Sequence, residues 1–251
     1  MRTSNAIVLE SPYVFEGVEV SLPVIVRKAR AAAATFLVSA TAARALLPSD
    51  DLAIMEFAPG RTLFTLGAID YIDNDLGDYN EVSMAFYVRP RGAPRGLPYL
   101  GAWSDFLAGR ASTYIHRLPV DQSFTCAAGR GIWGFPKSVE RIAFDIEADR
   151  AQCRLDVDGR HVLTLATRRH GGRTLRDSAM MTYSYIDGVL HETPFRSGAD
   201  GVGVSRAGAD LTLGDHPIAD ELRALGLPKA ALLTVWMENM RGRFEAPRPV
   251  A

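Results

Sequence analysis

An α+β fold, rich in β-strand and built on a mainly antiparallel sheet, is predicted by three features of this 251-residue chain. Short apolar runs with period-two alternation dominate it, most of them bounded by Gly, Pro, Asp or Asn. Asp158-Gly159 sits between two such runs, CRLDV and HVLTLAT, a tight-hairpin signal that makes antiparallel neighbours of the flanking strands. Helical spacing, by contrast, is confined to a few windows.

From the N-terminus, VEVSLPVIV reads as strand. The most apolar run, AAAATFLVSATAARALLP, is interrupted by Thr, Ser and Arg before it reaches the roughly 20 residues a bilayer requires, and so belongs in a core. Within it Ser39 can cap a short helix, TAARALL, which Pro48 ends. TLFTLGAI and EVSMAFYVR follow as strands. RPRGAPRG, with Arg89, Arg91 and Arg95, reads as a solvated loop or as the border of an anionic-substrate entrance. LPYLGAWSDFLAG is a second helix, and STYIHRLPV, IAFDIEA, AQCRLDVD, RHVLTLATRR and MMTYSYI are strands. The strongest helix prediction is KAALLTVWMENMRGRF after Pro228, where Leu232, Val235, Trp236 and Met240 fall mostly three or four apart; that face would cover a sheet or a neighbouring subunit. Adjacent hairpins argue against a βαβ series, and one domain spanning residues 1–251 is expected.

Composition narrows the function. A chain with 47% hydrophobic and 23% charged residues is an ordinary globular one, and a formal net charge of -1 offers no broad positive field; neither nucleic acid nor membrane is expected as a partner. The opening MRTSNAIVLESPYVF has no basic segment followed by an apolar stretch, so a cytoplasmic protein is expected. Cys126 and Cys153 lack metal-ligand spacing and read as buried, reduced thiols. His116, His161, His170, His191 and His216 show no zinc-helix pairing, and no G-x-S-x-G elbow occurs.

One stretch, GRGIWGFPKS from Gly129 to Ser138, carries two competing motifs. Its first half spells G-x-G-x-x-G, but a dinucleotide loop needs a helix opening inside it, and Pro136 disfavours helical geometry at Phe135. GVGVSRAG, from Gly201, has the wrong glycine spacing. The second half places Lys137 after Gly-Phe-Pro. Upstream lies LGDYNE, with Tyr79 and Glu81, and downstream LTLGDHPIADELRALGLP. In this order, from about Pro12 to about Phe244, the blocks resemble the acetoacetate decarboxylase family.

The resemblance implies a sheet curled into a cone or barrel around the site, a homo-oligomer, and a Schiff-base lysine at Lys137, which follows Gly129-Arg130 and Phe135-Pro136 as in the family's segment. Gly77, Tyr79 and Glu81 are similar to the element that supplies the family's active-site glutamate. Three positions depart from the pattern: Ser138 replaces a second lysine, Gly131 a glutamate, and Thr65 stands near a missing carboxylate. The family's early arginine, which meets the substrate carboxylate, corresponds to Arg27 or Arg30, and Trp133 and Phe135 either line the pocket or pack behind it. Only a neutral amine attacks a ketone, and a solvated lysine is neutral in about one molecule in 2,500 at pH 7. Burial against Ile132, Trp133, Phe135 and Pro136 is expected to lower its pKa. Lys137 would then condense with a small keto acid, with Glu81 moving protons or orienting the substrate, and without metal, nucleotide or organic cofactor. Decarboxylation of a β-keto acid is the leading expectation, with condensation and dehydration of an α-keto acid with an aldehyde, and a barrel that binds without turnover, as the alternatives.

Overall fold

A computed structural model describes residues 13–94 and 96–250. Arg95 and residues 1–12, on which parts of the loop and leader readings rest, lie outside the described residues. The hairpin β1 (Tyr13–Phe15) and β2 (Val18–Val20) precedes the long β3 (Val24–Ser39), α1 (Ala40–Ala45), β4 (Leu52–Ile54), β5 (Glu56–Ala58), β6 (Arg61–Asn74) and β7 (Tyr79–Pro90). Then come α2 (Leu100–Leu107), β8 (Ser112–Val120), α3 (Ser123–Trp133), β9 (Lys137–Val139), β10 (Arg141–Ile146), β11 (Arg150–Val157) and β12 (Arg160–Arg168). The long hairpin β13 (Arg173–Ile186) and β14 (Val189–Ser205) leads to β15 (Ala209–Leu213), α4 (Pro217–Ala224), β16 (Leu233–Phe244) and β17 (Arg248–Pro249).

Seven strands close into a barrel in the order β7-β6-β3-β16-β14-β13-β8, with β8 returning to β7. Closure pairs every backbone edge in the ring. An odd ring cannot alternate direction throughout, and the one parallel junction falls between β8 and β13, at Thr113↔Thr182. The fold is the β-rich α+β barrel that was expected, with this exception to its antiparallel character. The residues of β3, β6 and β7 alternate between the lumen and the outer face. On the outer face Phe36, Phe64 and Phe86 pack against Leu155, Leu163 and Leu165 of a four-stranded antiparallel sheet, β10-β11-β12-β15. All six are buried, and truncating one of the phenylalanines would cost about 3–5 kcal/mol.

Local signals explain much of this. Ser39 caps α1, its Oγ accepting from Ala42 N at 3.2 Å. Asp158 and Gly159 adopt φ of 50° and 73° between β11 and β12, as a two-residue hairpin turn demands. Three predictions are corrected. Most of the segment predicted as the terminal helix is β16, which pairs with β3 on one side and β14 on the other; a helix there would leave both neighbours with unsatisfied edges. Thr234, Val235 and Trp236 suit a strand in any case. The glycine-bearing half of the Gly129–Ser138 stretch, for which no helix was expected, ends α3, and β8-α3-β9 forms a local crossover with parallel strands although adjacent hairpins argued against a βαβ series. The third correction is α4, a helix that was not expected, started by His216, whose Nδ1 accepts from Ile218 N, and by Pro217. Among the described residues no helix is long and apolar enough to cross a membrane.

Candidate active site

Two blocks far apart in sequence meet beside the barrel. The first is set by the turn before β7, where Asn74 Oδ1 accepts from Leu76 N at 2.7 Å, the Asn74 amide donates to Gly77 O, and Gly77 takes a φ of 87°. Asn80 then binds Asp121 through both its backbone and side-chain nitrogens, each at 2.8 Å, which ties the start of β7 to the end of β8. Glu81 is thereby fixed on the barrel wall.

The second block is α3 and the turn that follows. Gly134 ends the helix with φ 64°, and its α-carbon lies so close to Tyr185 O that any side chain would collide with it. Gly129 and Gly131 serve space instead of turning. A Cβ on Gly129 would stand 2.5 Å from Lys137 Cδ, and one on Gly131 would stand 2.5 Å from the Phe15 ring. The G-x-G-x-x-G therefore lies at the C-terminal end of a helix, the wrong end of the dipole to receive a phosphate. Past Phe135-Pro136, Lys137 opens β9 and its stem runs back along α3 at Gly129.

Lys137 and Glu81 come together. Lys137 Nζ lies 2.9 Å from Glu81 Oε2 and donates to Thr125 Oγ1 at 3.1 Å, and the side chains of the pair are 3% and 8% exposed. The ammonium also sits 4.9 Å from the centroid of the Tyr79 ring. Tyr71 stacks on Tyr79 at 4.4 Å and donates through its hydroxyl to Glu81 Oε1 at 3.3 Å. Burial pulls the Lys137 pKa down, as expected, but the Glu81 carboxylate, with help from Tyr79, outweighs it and holds the lysine above its ordinary value. The expected direction is thus corrected: at rest Lys137 is an ammonium in an ion pair. Burial raises the pKa of Tyr79 and, more strongly, that of Tyr71, so both stay protonated, Tyr71 as the donor to Glu81.

Glu81, Tyr71, Phe135 and Leu118 line a cavity of about 170 Å³ inside the barrel. Lys137 stands one side chain further back, reaching the cavity through Glu81. A larger groove, of about 820 Å³, lies on the outer surface between β4 and α2, lined by Arg44, Arg89, Arg91 and mostly exposed or half-buried neighbours. Ser49 of that groove donates to Asp51 at 2.7 Å on the exposed surface, and among the described residues no buried ion pair borders it, so the smaller cavity with its buried pair is the better candidate.

Of the other predicted residues, Tyr79 and Phe135 belong to the site. Trp133 packs behind it, its ring stacked on Phe135 at 5.8 Å and its Nε1 donating to Glu245 O at 2.9 Å. Neither arginine reaches the cavity. Arg27 is exposed and paired with Asp73 and Asp75 at 2.7 and 2.6 Å. Arg30 lies between Asp70 and Glu238, each at 3.5 Å, away from the cavity wall. Acids of β6 and of the turn after it satisfy Arg27, whereas Arg30 has only the two 3.5 Å contacts and its Nε makes no hydrogen bond among the described residues. Tyr71 and Thr125 were missed: Thr125 depends on an unforeseen helix, whereas the pairing of Tyr71 with Tyr79 across the turn was open to inspection.

A closed barrel whose apolar cavity is walled on one side by Glu81, with Lys137 buried behind it, defines a class of protein that encloses a lysine–carboxylate pair beside an internal chamber. The sequence profile described as acetoacetate decarboxylase (ADC) matches residues 11–243, and the chain belongs to that family. A curated relative, Acetoacetate decarboxylase 1 of Bradyrhizobium diazoefficiens, is 28% identical over 122 residues, covering 49% of this chain and 36% of its own length. The chain thus matches little more than a third of that relative. Among solved structures, an acetoacetate decarboxylase from Legionella pneumophila superposes with a TM-score of 0.62 at 17% identity, covering 91% of this chain and 87% of its own. The enduracididine biosynthesis enzyme MppR complexed with pyruvate gives a TM-score of 0.62 at 16% identity, over 96% and 99% of the two chains. At these identities the structural likeness is one of fold.

Proposed function

We propose that this protein is a Schiff-base-forming lyase that acts on a keto acid through Lys137, with decarboxylation of a β-keto acid as the leading reaction. The observation that carries the reading is the buried contact of 2.9 Å between Lys137 Nζ and Glu81 Oε2 at the wall of an apolar cavity. Transfer of one proton along that contact produces a neutral amine and a neutral acid with no change in net charge, which is how a lysine with a raised pKa becomes a nucleophile. The amine adds to the carbonyl, Glu81 returns its proton to the departing water, and an iminium remains. The bond to the carboxylate then breaks, its electron pair moves into the enamine, and carbon dioxide leaves. A solvent proton delivered through Glu81 restores the iminium, and water releases the ketone and the lysine.

The apolar wall favours this step in particular, because loss of carbon dioxide annihilates an iminium–carboxylate charge pair that a low dielectric does not screen. A second reading, condensation of pyruvate with an aldehyde, draws on the similarity to MppR and on Thr65, which stands on the cavity wall where the family resemblance implied a carboxylate. The test is to incubate the protein with acetoacetate, or with pyruvate plus benzaldehyde, reduce with borohydride, and map the labelled peptide. Label on Lys137 with carbon dioxide release is the expected result. Condensation product without carbon dioxide moves the assignment to the second reading. Saturable binding with no label, unchanged by Lys137→Arg, would leave a binding barrel and reject both.

A further inference from the structure

The cavity wall is unequal. At one side stands the Glu81 carboxylate on β7, while Ile69, Ile115, Met237, Met240, Phe195 and Phe244 make most of the remainder apolar. Among the described residues no arginine, lysine or histidine lines it, and Glu81 is its one charged side chain. Three threonines line it as well. Thr65 is bonded to Thr35 at 2.9 Å and to the Tyr87 hydroxyl at 3.2 Å, and Thr182 is bonded to Thr113 at 3.3 Å. Thr193 differs: it is 0% exposed, and its Oγ1 has no hydrogen-bond partner among the described residues.

Position makes that hydroxyl informative. Thr193 lies on β14, three strands from β7 in one direction round the ring of seven and four in the other, so the two groups face the cavity from opposite walls. A buried hydroxyl without a partner is costly to the fold, and it is satisfied when a ligand supplies the missing bond.

We propose that the site selects a carbonyl compound whose body is apolar and uncharged and whose far end carries a neutral hydrogen-bonding group received by Thr193. The inference rests on the imine reading for which end of the ligand meets Lys137. A second carboxylate at the far end would exchange full hydration for one hydroxyl, and the wall offers it no cation. The substrates that fit are β-keto acids with an aliphatic substituent ending in a hydroxyl or carbonyl; oxo-dicarboxylates are excluded.

The test uses three product-like ketones on the whole protein: heptan-2-one, 7-hydroxyheptan-2-one and 6-oxoheptanoate, each trapped by borohydride at equal concentration. The hydroxyketone is expected to label Lys137 about fivefold better than heptan-2-one, the worth of one neutral hydrogen bond. The oxo-acid is expected to label about tenfold less than either. Thr193→Val should bring the ratio of the two neutral ketones near one, and Thr193→Ser should restore it. Equal labelling by the oxo-acid, or an unchanged ratio in a natively folded Thr193→Val variant, overturns the proposal. If no ketone labels Lys137, the imine reading fails on its own, and calorimetric binding of the same three compounds decides the selectivity. The same order and the same dependence on Thr193 support it; indifference to either, or no binding, overturns it.

Discussion

Two acid–base clusters share β8 and its partners, and they differ in how completely each carboxylate is occupied. On the outer side, a bulge between Ile115 and Arg117 lets successive residues His116 and Arg117 both reach Glu221 of α4. Glu221 takes three contacts, at 3.1 Å from His116 Nε2 and at 3.0 and 2.5 Å from the Arg117 guanidinium, and stays 29% exposed. On the inner side, Glu81 has one cation and one phenol and is sealed from solvent. The outer carboxylate is saturated by donors that cannot easily be withdrawn, so it docks a helix. The inner one has fewer donors, borders a cavity, and in the proposed mechanism takes the proton of Lys137.

Removing a cation from each cluster gives the largest contrast. Lys137→Met leaves a buried carboxylate without its counter-ion, and a loss of about 3–5 kcal/mol is expected in urea unfolding, together with loss of borohydride labelling. Lys137→Met combined with Glu81→Leu should recover most of that stability and none of the labelling. Arg117→Ala, in the hydrated cluster, should cost about 1 kcal/mol or less. Similar losses from the two single changes would break the comparison. Gly129→Ala comes next and separates geometry from stability. Its Cβ would stand 2.5 Å from Lys137 Cδ and 2.7 Å from Cε, so the lysine must move, while the helix gains about 1 kcal/mol of propensity. Little net change in stability with trapping slowed about tenfold to a hundredfold is expected, and undiminished trapping would show that the stem does not need that groove.

The strands were legible where one face is buried and the other is not. AQCRLDVD and RHVLTLATRR read directly as β11 and β12 because their alternation and the Asp-Gly turn agree. The region of β16 defeated the reading because Leu232, Val235, Trp236 and Met240 satisfy a helical spacing, and only the long-range edges of β3 and β14 decide between the two. In α3 the local signal was misleading for a functional reason. Gly129 and Gly131 weaken a helix, yet they are what admit the lysine stem and the Phe15 ring. Lys137 and Glu81 were singled out through the family resemblance, since nothing local marks either. The protonation state of Lys137 was misjudged because its apolar neighbours are adjacent in sequence, whereas the carboxylate that reverses their effect arrives from another strand. Arg27 and Arg30 failed likewise: their partners Asp70, Asp73, Asp75 and Glu238 are brought in by β-pairing or by the turn after β6.

The smallest expected effect is a difference in pH response. Burial, reinforced by Arg117, keeps the His116 pKa below its ordinary 6.5 against the pull of Glu221. Burial alone would raise that of Glu221, but the bonds from Arg117 and His116 outweigh it and hold the carboxyl below its ordinary 4.5. Groups depressed by folding contribute stability above their unfolded pKa and lose it as pH falls. The docking of α4 should therefore weaken below about pH 6.5 through His116, and again below about 4.5 through Glu221. Lys137 is raised by folding, so its contribution is complete below the ordinary 10.5 and disappears only above it. Amide hydrogen exchange followed by mass spectrometry from pH 7 to pH 4, corrected for intrinsic rates, should show protection falling first in Pro217–Ala224, by about 1 kcal/mol or less, while Tyr79–Glu81 and Lys137–Val139 hold. Loss of protection in step at all three segments would mean that the two clusters are one cooperative unit, and the contrast between a docking carboxylate and a proton-sharing one would fail.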